Sequence, residues 1–526
     1  MQQDRREFLA FSARLAGSAA LAAASLPACA RQAGGNDPFA IGVASGSPLP
    51  DRVVLWTRVI TDPVSDAPLS ALAYSVRWEI AEDEGFRRIV NKGTANAIPA
   101  LAHSVHVDAT GLAPDRWYYY RFMLGDAVSQ VGRTRTAPRA DAQPSLLKVA
   151  VASCQHWEFG EYGAHRHIAA ANPDLVAFLG DYIYEWGPYV TDHPEHARRT
   201  NESFDLDDYR RRYAQYKSDP HLQASHRAAP WLVTWDDHEV ANDYADDRDE
   251  LLTANFLARR AAAYQAFYEH MPIRLPTAFN GKYANLRIYD RYDWGRLARI
   301  HLLDNRQYRA HQVCPRPQRG GSNSVTTAQC AARLDPTRSM LGAAQESWLK
   351  TGLANSPARW NILAQQTLMA QNTQTAIKQP NDGRFWTDGW DGYPLARERL
   401  LDELARSKAA NPVVLSGDVH TFYAADLQRD VLSKPSAENP IIATEFCGTS
   451  VTSSSRPQER TLQYLKMNPH IHYGRSDTRG FYLMEVTPSK TTTHFMGLED
   501  VDDAQSGVEK VGSFVVENGR PGVVRA

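Results

Sequence analysis

Beyond its first thirty residues this 526-residue chain has no uninterrupted apolar stretch approaching a membrane-crossing helix, which needs about 20 residues. It also lacks an excess of either charge: 58 Lys and Arg against 60 Asp and Glu leave a formal net charge of -2. That balance gives no general field for nucleic acid or an anionic bilayer, so an anionic ligand must be held by a local site. No Walker-type glycine loop is present, which disfavours nucleotide-driven phosphoryl transfer. There is no internal repeat and no low-complexity tract. At 43% hydrophobic and 22% charged, the chain reads as globular material long enough for two or three domains.

Cysteine is scarce, five in all, and the five divide by context. Cys29 lies in an N-terminal segment, residues 1–30, that carries the pair Arg5 and Arg6, then Phe8 and Leu9, a weakly apolar Ala/Leu stretch and small residues. This segment resembles a twin-arginine export signal, a receptor-read address that implies the twin-arginine translocation machinery as a partner and a periplasmic or extracellular destination. LPAC, ending at Cys29, also resembles a lipoprotein processing site, so a lipid anchor there is a further expectation. Cys314 and Cys330 flank a Gly/Pro/Ser/Asn-rich loop that a disulfide would close in an oxidising compartment. Cys154 and Cys447 remain, each beside strand-like apolar residues, where a free cysteine is by default a small buried hydrophobe.

Residues 31–140 alternate apolar and polar residues in short runs such as VVLWTRVI, AYSVRWEIA and WYYYRFML, punctuated by Gly, Pro and Asp. This predicts an antiparallel all-β sandwich similar to fibronectin or immunoglobulin-like modules, with no catalytic cluster of its own. After the Pro/Ala/Asp linker at 138–145 the pattern changes. LLKVAVASC, DLVAFLGD, WLVTWDDHE, RIHLLDNRQYR, WNILAQQTLMA and VVLSGDVHTF read as buried strands alternating with helical segments. Residues 141–526 are therefore predicted to form a layered α/β domain with its site at the strand ends.

Those ends deliver SCQ at 153–155, GDYIY at 180–184, TWDDHEVANDY at 234–244 and SGDVHTF at 416–422. Together they offer a thiol, a phenol, two imidazoles, an amide and several carboxylates. Thiolate, phenolate and imidazole suit a trivalent or softer transition metal, and carboxylates suit calcium or magnesium. Each motif alone is weak, since an acidic-His run is commonly a solvated turn and a lone His near a strand end is commonly structural. Four in order, each after a predicted buried strand, point to a mixed-metal centre.

GDYIYE, TWDDHEVANDY, LDNRQYR and SGDVHTFYAADL, with GVASGSP near the start and EFCGTS and NPHIHY later, resemble the alkaline phosphatase D family across the whole mature chain. The resemblance implies a metallophosphoesterase fold, two mixed β-sheets flanked by helices, related to the purple acid phosphatases. By that resemblance Cys154, Asp181, Tyr184 and His420 would hold ferric iron, with Asp181 bridging to a neighbouring ion. Asp237 and Asp418, with Asp236 and Asn242 as further candidates, would serve calcium. His238 would protonate the leaving group or hold the substrate oxygen, and Asn242 would contact phosphate. The implied substrate is a phosphate mono- or diester. A phospholipase D-like activity on lipids is the alternative, and a non-catalytic binding protein a more distant one. Arg210 and Arg306 are plausible anion contacts, but arginines at such places are more often surface or packing residues, so both stand outside the expected site.

Overall fold

The computed structural model describes residues 37–65, 67–187, 201–379 and 382–526. The expected export signal, and Cys29 with it, lies outside the described residues. Among the described residues no helix is long and apolar enough to cross a membrane.

Two large mixed sheets pack face to face. In the first, the strands Leu147–Ala152, Leu175–Phe178 and Trp231–Val233 run parallel at the centre. On one side Gly480–Val486, Lys490–Leu498, Val508–Glu517 and Arg520–Arg525 continue the sheet antiparallel. In the second, Ala298–Leu302, Trp360–Thr367, Pro412–Gly417 and Ala443–Cys447 are parallel, with antiparallel strands Asp290–Trp294 at one edge and Phe422–Leu427 and Ile471–Arg475 at the other.

Successive side chains of a strand point to opposite faces, and here both faces are covered. Val149 and Val151 enter the core between the sheets with Ile362, Val413 and Leu415. Their neighbour Ala150 joins Val176, Val233, Tyr213, Leu222 and Phe267 on the outer face, under the helices Leu206–Lys217, Pro220–Ala228 and Phe256–His270. Leu363 and Val414 face the other way, toward Leu349, Leu353, Leu400 and Leu404 of the helices Gly342–Ala354 and Pro394–Ser407. Burial on both faces explains why these strands read as continuous apolar runs.

The N-terminal strands differ from a free-standing sandwich. Tyr74–Ala81, Ile89–Ala97, Trp117–Leu124 and two short partners form one sheet, but Val43–Leu49, Arg52–Arg58 and Ser104–Thr110 extend the first large sheet. The two layers enclose their own core of Val53, Leu55, Val76, Ile80, Val105 and Tyr120. The junction is the parallel pairing of Gly46 with Trp231. A Cβ on Gly46 would stand 2.4 Å from the Pro272 carbonyl oxygen and 2.6 Å from that of Trp231, so only glycine fits there. Trp56 donates from Nε1 to the Glu269 carbonyl at 2.9 Å and carries Lys217 Nζ over its ring at 4.3 Å, tying the same layers.

Candidate metal centre

The chemistry-bearing residues follow the strands almost at once. Cys154 comes two residues after Ala152, Asp181 three after Phe178, the run Asp236, Asp237 and His238 begins three after Val233, and Asp418 directly follows Gly417. Several stand in the left-handed backbone region, with φ of 62° at Cys154, 55° at Asp181, 55° at Asp243, 63° at Asp418 and 53° at His420. Each such residue costs on the order of 1–2 kcal/mol, so the surroundings must hold them there. Cys154 N–H donates to the Gly180 carbonyl at 3.1 Å and Gln155 N–H to that of Asp181 at 3.0 Å, lacing two of the loops. The buried Glu239 carboxylate accepts from the backbone of Asp181, Tyr182 and Asp236 at 3.1, 2.6 and 2.7 Å. Gly180, at φ 102°, lets the loops touch: a Cβ there would meet Asp236 Cβ at 2.5 Å.

Three groups of ligand atoms form a row, each group within 4.8 Å: Cys154, Asp181 and His420; Asp181, Asp237 and His238; Asp237, Asp243 and Asp388. Asp181 is common to the first two and Asp237 to the last two. Tyr184 joins the first group. Its hydroxyl lies 3.0 Å from Asp181 Oδ2 and 3.4 Å from His420 Nε2, and accepts from Ser453 Oγ at 2.6 Å. His238 stacks on Tyr184 with ring centroids 4.1 Å apart, while its Nδ1 meets Glu185 Oε2 at 2.8 Å. The other Glu185 oxygen accepts from Asn242 N–H at 2.7 Å. Asn242 Nδ2 donates to Glu250 at 2.7 Å, which leaves the amide oxygen as a candidate cation ligand.

Six carboxylates, Asp181, Asp236, Asp237, Asp243, Asp388 and Asp418, share this region with the guanidiniums of Arg306 and Arg309. Arg306, 1% exposed, holds Asp236 through a short Nε contact, Asp388 at 2.9 Å and Asp237 at 3.3 Å. Arg309 holds Asp388 from the other side. Even so, Asp181 Oδ1, Asp236 Oδ2 and Asp418 Oδ2 are buried without a hydrogen bond, and Asp237 Oδ1 and Asp388 Oδ2 meet the Arg306 Nη2 charge without a well-aligned one. A buried unsatisfied oxygen is costly, and a row of them sharing edges is a donor set for cations.

The electrostatics agree. Burial first, then Asp181, pushes the Cys154 thiol and the Tyr184 phenol well above their ordinary pKa values, so both ionise only beside a cation. Burial pushes Asp418 up to about 7, with Asp237 and Asp388 adding to it against Arg306. Burial works against a charged His238, but Glu185, Asp237 and Asp181 together hold its pKa well above the usual imidazole range.

Thus the structure brings Cys154, Asp181, Tyr184 and His420 together, and sets Asp237 and His238 beside them. Asp418 and Asn242 line the same cavity, of about 470 Å³, and among the described residues Asp418 belongs to none of the three ligand groups. Asp236 gives one oxygen to Arg306. The expected site omits Asp243, although it lies in TWDDHEVANDY, and Asp388, which follows the three-residue strand Arg384–Trp386 and has no signal at strand level. Arg306, set aside as a packing or surface residue, lies under the carboxylates. Arg210 pairs with Glu269 at 2.6 Å and does not line the cavity.

The sequence model of the PhoD-like phosphatases matches residues 149–495, and that of the PhoD-like phosphatase N-terminal domain matches residues 22–138. The chain is 41% identical to alkaline phosphatase D of Bacillus subtilis (strain 168) over 99% of its own length and 88% of that protein. A solved structure described as the structure of PhoD superposes with a TM-score of 0.86 at 41% identity, covering 93% of this chain and 92% of that one. The chain belongs to the PhoD-like phosphatases, and with them to the hydrolases of phosphoric esters.

Proposed function

We propose that this chain is exported and hydrolyses phosphate mono- or diesters with ferric iron and calcium on the cavity floor. The observation that carries this reading is the row of shared ligand groups with orphaned carboxylate oxygens. Cys154, Asp181, Tyr184 and His420 would hold the iron, since thiolate and phenolate favour a trivalent ion. Asp237, with Asp418, Asn242, Asp243 and Asp388 around it, would hold calcium. When bound, these ions supply a nucleophile from water at moderate pH and neutralise the phosphate oxygens.

The chain's own residues orient that chemistry. Glu185 fixes His238 through Nδ1, which leaves Nε2 as the ring nitrogen available to the cavity. There it gives a proton to the departing ester oxygen. Ser453 holds Tyr184, and Glu239 holds the Asp181 and Asp236 turns. No covalent phosphoryl-protein intermediate is required. Export by the twin-arginine route, to the periplasm or beyond, is supported by the residues around Arg5 and Arg6, and an oxidising destination by the Cys314–Cys330 disulfide. A lipid anchor at Cys29 is compatible with both.

Metal analysis of natively exported protein, paired with rates on one monoester and one diester, tests the reading. Iron held by the Tyr184 phenolate gives a visible charge-transfer band, and Tyr184→Phe is expected to bleach it. A calcium chelator is expected to abolish turnover while the colour persists. Active protein holding stoichiometric zinc, no iron and no band would overturn the iron assignment. Full activity after exhaustive calcium removal would overturn the second.

A further inference from the structure

The floor of the cavity is acidic, but one wall is not. Arg456 and Arg460 line it together with Ser454, Ser455 and Tyr464. Arg456 Nη2 donates to the Val419 carbonyl at 3.4 Å, between Asp418 and His420, so its guanidinium stands at the edge of the floor. Arg460, in the first turn of the helix Gln458–Met467 and exposed, donates from Nε to Tyr464 Oη at 2.9 Å. Among the described residues neither arginine has an ion pair with a carboxylate. Asp391, the one lining carboxylate outside the floor groups, is already paired with Arg397 at 2.7 Å.

Both guanidiniums also lie near the same ring, 5.5 Å and 5.7 Å from the Tyr464 centroid. Two like charges held on one ring repel each other, and an anion between or beside them relieves that repulsion. They differ in this from Arg306 and Arg309, whose charge is spent on Asp236, Asp237 and Asp388. The cavity, about 470 Å³, also exceeds what a single phosphate fills.

We propose that Arg456 and Arg460 form a second anion subsite, which selects phosphate esters whose leaving group carries another phosphate or phosphonate. The scissile phosphate sits on the floor and the second anion on the wall. Water's oxygen joins the scissile phosphorus, the ester P–O bond breaks, and the released oxygen takes a proton. This inference rests on the hydrolase reading and adds to it the substrate class.

The test uses the metal-loaded enzyme and two esters, 4-nitrophenyl phosphate and the same ester bearing a phosphonomethyl group on its ring. In Arg456→Gln and in Arg460→Gln, the ratio of kcat/KM for the phosphonomethyl ester to that for the plain ester is expected to fall about tenfold, the loss of one charge-assisted bond. Arg460→Lys, which keeps the charge, should recover part of the ratio. A ratio unchanged in both glutamine variants overturns the proposal. Direct binding, measured by titration calorimetry, gives a readout independent of turnover: methylenediphosphonate should lose its affinity advantage over methylphosphonate in the same variants, and an unchanged advantage also overturns it. Failure of the unaltered enzyme on both esters would instead overturn its action on phosphate monoesters, with the binding comparison still deciding the subsite.

Discussion

Arg306 shows how much of the centre depends on single side chains. One guanidinium, 1% exposed, meets three carboxylates, and burial alone would oppose its charge. Asp236, Asp237 and Asp388 hold its pKa well above the ordinary arginine value, because removing the proton would leave them facing one another. Arg306→Met strips the cation and leaves the anions buried. Unfolding of the chelator-treated protein is expected to be easier by about 3–5 kcal/mol, measured in denaturant. Added calcium should recover more stability in this variant than in the unaltered chain, since the same carboxylates then share one guanidinium fewer. Cys154 makes the opposite case: it is buried, but Ser fills nearly the same volume, so Cys154→Ser should fold and lose iron together with activity. Retained iron in that variant would return Cys154 to the role of a packed thiol.

At the level of elements, the 314–330 loop holds part of the floor. Its Ser322 N–H donates to Asp243 Oδ2 at 2.8 Å, and Gln312, just before it, donates to the Asp243 carbonyl and to Asp388 Oδ1, both at 2.7 Å. Cys314 and Cys330 close that loop. Replacing both by Ser is expected to raise the calcium concentration needed for half-maximal activity several-fold while leaving the visible band in place, because among the described residues none of the proposed iron ligands Cys154, Asp181, Tyr184 and His420 hydrogen-bonds to the loop. A pH effect belongs to the sheet edge. His472, on Ile471–Arg475, meets Asp426, on Phe422–Leu427, at 2.6 Å, and this bond raises the His472 pKa. A raised folded value stabilises below the unfolded pKa and is lost as pH climbs through the folded one. His472→Gln should therefore lower stability at about pH 5.5 and leave it nearly unaltered at about pH 9, read by thermal melting. The parallel strands were legible beforehand because burial on both faces writes continuous apolar runs such as VAVAS and LVAFL. The residues at their ends were legible for the same reason, since a polar residue directly after such a run is conspicuous. Asp388 was not, because only the fold carries its loop under Arg306. The joining of Val43–Leu49 to the large sheet was not either, for it depends on one pairing, Gly46 with Trp231, between segments far apart in sequence.

That pairing governs the whole molecule. With Val43–Leu49, Arg52–Arg58 and Ser104–Thr110 in the same sheet as the strands that carry Cys154 and Asp181, residues 38–137 are a wall of the catalytic layer. Their removal would expose the Trp231–Val233 edge and the faces that Trp56 and Arg58 cover, where Arg58 also meets His270 at 2.8 Å. A chain starting at residue 141 is expected to be insoluble or to bind a hydrophobic dye strongly, whereas a separable module would leave a soluble enzyme. Size-exclusion chromatography of the truncated protein decides between them.

The strand order of the first sheet also sets a timetable. Leu147–Ala152 lies between Leu175–Phe178, made soon after it, and Gly480–Val486, made near the end of translation. At about 5–20 residues per second, a ribosome leaves that central strand with one bare edge for roughly half a minute. For most of that interval the thiol near its tip waits for His420, and the nascent chain must be shielded from foreign strands and from premature oxidation by something other than its own fold.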